Sequence, residues 1–237
     1  MINIIRSFWF YFNGVISTLL IGLLVIFFSF FDKKNLFISK FVRIWANWVC
    51  KSSGINIEVF GRDKLPRNEN FIFVSNHESI LDIPIAISTL PCNIVFLAKK
   101  ELFKIPFFSS ILNSLGMIKV DRKNKEEAYR SVENALKLLN LKNTSILVYP
   151  EGTRSNPGQL LKFKKGSFIL AIESGLSLVP ITIRNTGLNL PARSTILNDK
   201  INIQVQIHKP IKTIKLDVES DKDELCFQTE KIISDFL

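Results

Sequence analysis

Residues 8–31 carry no charged side chain, and the centre of that run reads Leu19-Leu20-Ile21-Gly22-Leu23-Leu24-Val25-Ile26-Phe27-Phe28. A helix of about 20 residues crosses the apolar core of a bilayer, so a segment this long and apolar must be covered by lipid or by other protein. A cleaved signal peptide fits poorly, because the run is too long and no small-residue cleavage site follows it. The next stretch, 36–49, has another pattern. Phe37, Phe41, Trp45 and Trp48 recur at helical spacing, while Lys40, Arg43 and Asn47 interrupt the apolar run. That pattern predicts an amphipathic helix at headgroup depth, where Trp and basic side chains are comfortable. Either the first segment spans the membrane, or both form a hairpin in one leaflet. In the spanning case Lys33, Lys34, Lys40 and Arg43 outweigh Arg6, and the positive-inside rule puts the rest of the chain on the cytoplasmic face.

Near Gly54 the aromatic segment gives way to ordinary globular patterning. We divide the chain into a membrane-anchoring helical segment, 1–54, and a globular domain, 55–237, long enough for one sizeable core. Short apolar runs predict strands at 55–60, 71–74, 94–98, 118–120, 146–149, 179–183 and 201–207. Continuous apolar runs suit strands covered on both faces. The last run alternates strictly, so one of its faces is expected to meet solvent. Helices are predicted at 80–90, 107–115, 126–141, 165–174 and 223–237; the third has Ala128, Val132, Ala135, Leu136 and Leu139 on one face. Strands alternating with helices predict an α/β fold: a mixed sheet flanked by helices, with the N-terminal membrane element attached.

The net charge is +10, which attracts the chain to anionic lipid. Nucleic acid as a partner is disfavoured by the membrane segment and by the lack of any nucleic-acid motif. Cys50, Cys92 and Cys226 have neither disulfide-scaffold nor zinc spacing, and read as small apolar residues in a reducing compartment. No ligand cluster suggests a metal.

Two short blocks carry the chemistry, roughly seventy residues apart. The first is Asn76-His77-Glu78-Ser79-Ile80-Leu81-Asp82. Histidine is the side chain best suited to proton transfer near neutral pH, and a carboxylate on one ring nitrogen leaves the other free to take a proton. Residues five apart on a straight helix point about 140° from one another. His77 and Asp82 therefore meet only if His77 sits in the loop after the strand and Asp82 in the first helical turn. Asn76 could then fix the loop by side-chain-to-backbone bonds. Taken alone the pair is a weak signal, equally a loop histidine beside a helix-start acid. His208 is assigned no role.

The second block is Pro150-Glu151-Gly152-Thr153-Arg154-Ser155. Pro150 ends a strand, Glu151-Gly152-Thr153 makes a tight turn with exposed backbone N–H groups, and Arg154 offers a planar fork matched to phosphate. Lys162-Phe163-Lys164-Lys165-Gly166 adds positive charge, either at the site or as a solvated face. Lys99 and Lys100 stand at another strand's C-terminal end, the side on which ligands bind in open α/β sheets. No obvious nucleophilic Ser or Cys accompanies the histidine. The pairing suggests an enzyme whose nucleophile comes from the substrate, a hydroxyl near a phosphate.

These blocks resemble the motifs of the 1-acyl-sn-glycerol-3-phosphate acyltransferases, within the membrane glycerolipid acyltransferase superfamily. Asn76-His77 with Asp82 looks like the first motif. Gly116 through Arg122 looks like the second, preceded by Lys100-Glu101-Leu102 and Pro106. Tyr149 through Ser155 looks like the third, and Leu178-Val179-Pro180-Ile181 the fourth. They stand in the family's order over roughly residues 71–184. Ser109 replaces a customary Gly, and Tyr149 stands where Phe or Val is commoner. The resemblance implies acyl transfer from a thioester, carried by acyl carrier protein or coenzyme A, to the 2-hydroxyl of lysophosphatidic acid, giving phosphatidic acid without a bound cofactor. In that scheme His77 is the general base and Asp82 its orienter. Arg154 clamps the phosphate, Lys100 is the second cation with Lys99 its alternate, Glu151 binds the glycerol or holds the loop, and Gly152 and Thr153 complete the turn. Rivals are glycerol 3-phosphate or another lysolipid as acceptor, a non-catalytic binder of anionic lipid, and a phosphoryl-transfer enzyme using His77; the last lacks the metal or Cys/Arg loop it would need.

Overall fold

A computed structural model of the chain describes residues 2–32, 36–121, 125–141, 144–198 and 202–237. Lys33, Lys34 and Arg122 lie outside the described residues. Two helices come first, α1 (Ile2–Ser29) and α2 (Leu36–Ser53), followed by β1 (Asn56–Phe60), β2 (Ile72–Ser75), α3 (Asp82–Thr89), β3 (Ile94–Lys99), α4 (Pro106–Ser114), β4 (Ile118–Val120) and α5 (Lys125–Leu141). The second half holds β5 (Ser145–Val148), α6 (Gly166–Ser174), β6 (Leu178–Arg184), the single turn α7 (Thr186–Asn189), β7 (Asn202–Ile207) and α8 (Val218–Ser234).

The seven strands form one mixed sheet in the order β1-β7-β6-β2-β5-β3-β4. All pairs are parallel except β6 with β7. Because side chains alternate across a strand, each continuous apolar run feeds two cores. Phe73, Leu147, Val179 and Ile181 point to the face covered by α2 and α3. Ile72, Val74, Ile146, Val148 and Leu178 point to the face covered by α5, α6 and α8. The alternation of β7 does not give the expected wet face along its length: Asn202 is exposed, but Gln206 is buried, donating to the Ile207 carbonyl at 3.0 Å. A strand flanked by β1 and β6 has no free edge, and the loop after β1, at Gly61, covers its far end. Helix α8 begins five residues before its expected start. Asp217 caps it, accepting the N–H groups of Glu219 and Ser220 at 2.9 and 3.2 Å, a local signal strong enough to start a helix.

Helix α1 alone is long and apolar enough, among the described residues, to cross a membrane. It lies along the domain instead of leaving it. Near its start Arg6 donates to the Asn198 carbonyl at 3.0 Å and Ser7 Oγ accepts the Leu197 N–H at 2.8 Å. Further along, Gly22 lies so close to Ile111 of α4 that a Cβ there would meet its Cδ1 at 2.4 Å. At the far end Ser29 Oγ is 3.2 Å from Ser114 Oγ. The opposite face is bare and apolar, with Phe8, Trp9, Phe12, Leu19, Leu23 and Phe27 exposed.

Helix α2 completes an antiparallel hairpin. Its tryptophans do a different job from the one expected of headgroup anchors: Trp45 Nε1 donates to Thr18 Oγ1 and Trp48 Nε1 to Asn13 Oδ1, each at 3.0 Å. An indole N–H in apolar surroundings needs an acceptor, and α1 supplies one at each level. Arg43 turns inward too, donating to the Leu90 carbonyl at 2.8 Å.

Ala46, Val49 and Cys50 of α2 are buried in the same core as β2 and β6. Deleting residues 1–50 therefore strips one face of the sheet. The truncated protein is expected to aggregate, not to survive as a soluble domain; a monodisperse, cooperatively melting 51–237 fragment in size-exclusion chromatography and calorimetry would refute this.

Candidate active site

The two motif blocks converge because of strand register. β2 and β5 are adjacent and parallel, with Ile72 beside Ile146, Phe73 beside Leu147 and Val74 beside Val148. Carried past the strand ends, that register sets His77 abreast of Glu151. The His77 N–H accordingly donates to Glu151 Oε1 at 2.7 Å. In return Ser155 donates to the His77 carbonyl, from its N–H at 2.8 Å and its hydroxyl at 3.2 Å.

His77 lies in the loop after β2, and Asp82 is the first residue of α3. Their side chains meet, with His77 Nδ1 2.7 Å from Asp82 Oδ2. Asp82 is fully buried, and the same Oδ2 accepts the N–H groups of Glu78 and Ser79, both at 2.9 Å. The carboxylate thus folds back over the loop that precedes it and does not cap its own helix. Three donors on one oxygen hold the acid in place, and as a carboxylate it makes Nδ1 the protonated nitrogen of the neutral ring. Nε2, on the other side of a ring that lines the central cavity, is left for a substrate. The imidazole also stacks on Tyr149, with ring centroids 4.2 Å apart and planes 20° from parallel. Ring orientation is thereby set from its edge and from its face.

The loop is anchored on both sides. Asn76 is paired with the backbone of Ile183 in β6, Nδ2 donating to its carbonyl and Oδ1 accepting its N–H, both at 2.8 Å. Glu78 is buried and accepts the N–H of Gly158 at 3.0 Å and of Gly187 at 3.2 Å. Burial pushes its carboxyl pKa up. Glu151 is 4% exposed, and both oxygens take backbone donors, His77 N–H and, at 2.8 Å, Leu161 N–H. Of the two tasks considered for Glu151, these contacts supply loop-holding. Burial raises its pKa to about 7.

Gly152 has φ 72°, a left-handed conformation natural to glycine, and its N–H donates to the Tyr149 carbonyl at 3.1 Å, closing the turn. Thr153 and Arg154 are exposed beyond it and line the cavity mouth with Gly152. Lys99 lines the cavity as well, whereas Lys100 pairs with Asp121. His208 stands apart, with Nε2 2.9 Å from Thr182 Oγ1, and burial lowers its pKa to about 4.

The cavity has a volume of about 570 Å³, within the usual range of ligand sites. Its mouth holds His77, Lys99, Thr153 and Arg154; its body is apolar, walled by Ile21, Gly22 and Val25 of α1, Trp45 of α2, Ile111 of α4 and Leu115 just past that helix. Sequence reasoning missed that the α1–α2 hairpin forms a wall of the site, that Tyr149 stacks on the imidazole and that Glu78 ties down its loop. Tyr149 had a weak signal as the last residue of a predicted strand; the hairpin's part had none. Among the described residues no group of three or more His, Cys, Asp and Glu side chains is disposed to hold a metal ion. The arrangement is a histidine held by a buried carboxylate, sharing one cavity with exposed cationic side chains and an apolar lining.

A family model described as Acyltransferase matches residues 56–184. The 1-acyl-sn-glycerol-3-phosphate acyltransferase of Borreliella burgdorferi is 35% identical over 173 residues, 73% of this chain and 68% of that protein. The chloroplastic 1-acyl-sn-glycerol-3-phosphate acyltransferase LPAT1 of Arabidopsis thaliana is 35% identical over 86% of this chain, which spans 58% of that relative's length. In three dimensions the chain is similar to the crystal structure of the 1-acyl-sn-glycerophosphate (LPA) acyltransferase from Thermotoga maritima, with a TM-score of 0.82 at 26% identity, covering 98% of this chain and 93% of the other.

Proposed function

The chain belongs to the acyltransferase family, and from that premise we propose that it transfers an acyl chain from a thioester donor to the 2-hydroxyl of 1-acyl-sn-glycerol 3-phosphate, giving phosphatidic acid. The observation that carries this reading is the His77–Asp82 pair, 2.7 Å apart at the mouth of an apolar cavity that also holds Arg154. Nε2 of His77 takes the proton of the acceptor hydroxyl as its oxygen attacks the thioester carbonyl. The imidazolium that forms is stabilised by Asp82, and the C–S bond breaks to release the thiol, which recovers the proton. The substrate's hydroxyl takes the place a serine holds in a hydrolytic triad, so no acyl-enzyme is required. The apolar body of the cavity suits a fatty acyl chain. The donor is a thioester of acyl carrier protein or coenzyme A; both are acidic, and a chain of net charge +10 attracts either.

The protein is membrane-associated, and we place the α1–α2 hairpin in one leaflet. Contacts with the domain at Ser7, Gly22 and Ser29 follow α1 for most of its length, which supports the hairpin reading over a helix that leaves the domain to cross the bilayer. Its bare aromatic face then enters lipid, with the domain on the cytoplasmic, anionic surface. The test is an assay of the purified protein in detergent, offered several lysolipids and both donor types, with products identified by mass. Acylation of glycerol 3-phosphate or another lysolipid in preference to lysophosphatidic acid would overturn the acceptor assignment.

Arg154→Lys is expected to lower kcat/KM for lysophosphatidic acid by about tenfold to a hundredfold, since lysine keeps the charge but loses the two-point grip that positions the hydroxyl. Monoacylglycerol is the control acceptor. An equal loss on both acceptors would show that Arg154 does not hold the phosphate.

A further inference from the structure

Of the three lysines in the 162–165 segment, Lys164 has its ammonium against Gly152, in the turn that carries Arg154. Lys165 pairs with Asp223 of α8. Lys162 and Lys164 are both exposed and neither lines the cavity itself; what separates them is the ammonium position of Lys164 beside Gly152, which does line it. Lys164 is fastened to the turn that carries Arg154: its backbone N–H donates to the Pro150 carbonyl at 3.0 Å, and neighbouring Leu161 donates to Glu151. Its ammonium fills the space a side chain at position 152 would need, with Nζ 2.8 Å from where a Cβ on Gly152 would stand. Gly152 lines the cavity mouth between Glu151 and Thr153-Arg154. Among the described residues neither Lys164 nor Arg154 forms an ion pair with a carboxylate, whereas Lys100, the second cation expected from the sequence, pairs with Asp121.

Resting on the acceptor reading above, we propose that Lys164 is a second cation of the acceptor-phosphate site, acting with Arg154 across Gly152. A phosphate monoester carries close to two negative charges near neutral pH, and one guanidinium neutralises only one of them. A lysine held at the turn by its own backbone supplies the other, while its flexible stem lets the ammonium follow the phosphate as the glycerol settles against His77. The same geometry explains Gly152: besides the left-handed backbone, any side chain there would displace the ammonium.

The experiment compares Lys164→Gln, Lys164→Arg, Lys162→Gln and Lys165→Gln with the wild type, measuring KM for lysophosphatidic acid and for the thioester donor separately, with monoacylglycerol as the unphosphorylated acceptor. Lys164→Gln is expected to raise KM for lysophosphatidic acid by about fivefold or more, the scale of one partly exposed charge-assisted contact. It is expected to lower the preference for the phosphorylated acceptor by a similar factor, with Lys164→Arg recovering most of it and the other two variants within about twofold of wild type. An unchanged preference overturns the inference. So does a rise in donor KM alone, which would assign Lys164 to a phosphate of the pantetheine arm, and so do equal effects from all three lysines, which would mean diffuse charge and no site. Failure of the wild type to acylate lysophosphatidic acid overturns the functional reading first, before any variant is compared.

Discussion

His77→Ala is expected to lower turnover by about three to four orders of magnitude, the upper part of the hundredfold to ten-thousandfold range usual for general-base assistance, because the ring nitrogen that takes the proton is removed outright. The fold should survive. Without the ring, Asp82 Oδ2 still accepts the N–H groups of Glu78 and Ser79, so its buried charge keeps two of its three donors. The loop also keeps its ties through Asn76 and through residue 77's own backbone, whose N–H and carbonyl bond Glu151 and Ser155 whatever the side chain. The measurement is the initial rate of phosphatidic acid formation beside circular dichroism and membrane association of the same preparation. Turnover within about tenfold of wild type in a well-folded variant would remove His77 from the chemistry.

Asp82→Asn is expected to cost about a hundredfold to a thousandfold, and the structure gives the reason a particular form. In a Ser-His-Asp triad the amide can present its NH₂ to the imidazole and select the wrong tautomer. Here the oxygen facing His77 is also held by two backbone N–H groups, so the amide must put its carbonyl there and its NH₂ at the Oδ1 position. The correct tautomer persists, and what is lost is the negative charge that stabilises imidazolium. The variant should therefore keep near-normal KM values and show its defect in kcat. Normal kcat would reduce Asp82 to a loop-folding residue; a kcat as low as that of His77→Ala would mean that ring orientation fails as well.

The sheet was legible because its strands are apolar runs with polar punctuation. All seven were readable within a residue or two: β2, β5 and β6 are buried on both faces and leave a hydrophobic block no loop would carry, while β1 and β7 alternate apolar and polar residues. Helix ends were less so: α8 starts at Asp217, where a cap outweighs the later onset of apolar periodicity. The dyad was legible as a conditional, His77 in a loop and Asp82 in the first turn, because helical geometry rules out any other meeting. The different surroundings of Lys100, just past β3, and Lys164, just before α6, were not legible, since neither position in the chain states which groups lie across from it. Their difference lies in Asp121, which pairs with Lys100, and in the Pro150 carbonyl that draws Lys164 to the turn.

By itself the sequence determined the elements, the apolar character of the first helix and the candidates for the reacting groups, because each of these is local: a run, a spacing, a side chain's chemistry. Only the tertiary structure decided that β2 lies beside β5 in the register that sets His77 against Glu151, that Tyr149 stacks on the imidazole, and that the hairpin lies along the domain and walls the cavity. The physical reason is that strand order and helix docking depend on which apolar faces bury each other across long separations in the chain. A run of leucine and phenylalanine states that it must be covered and does not state by what.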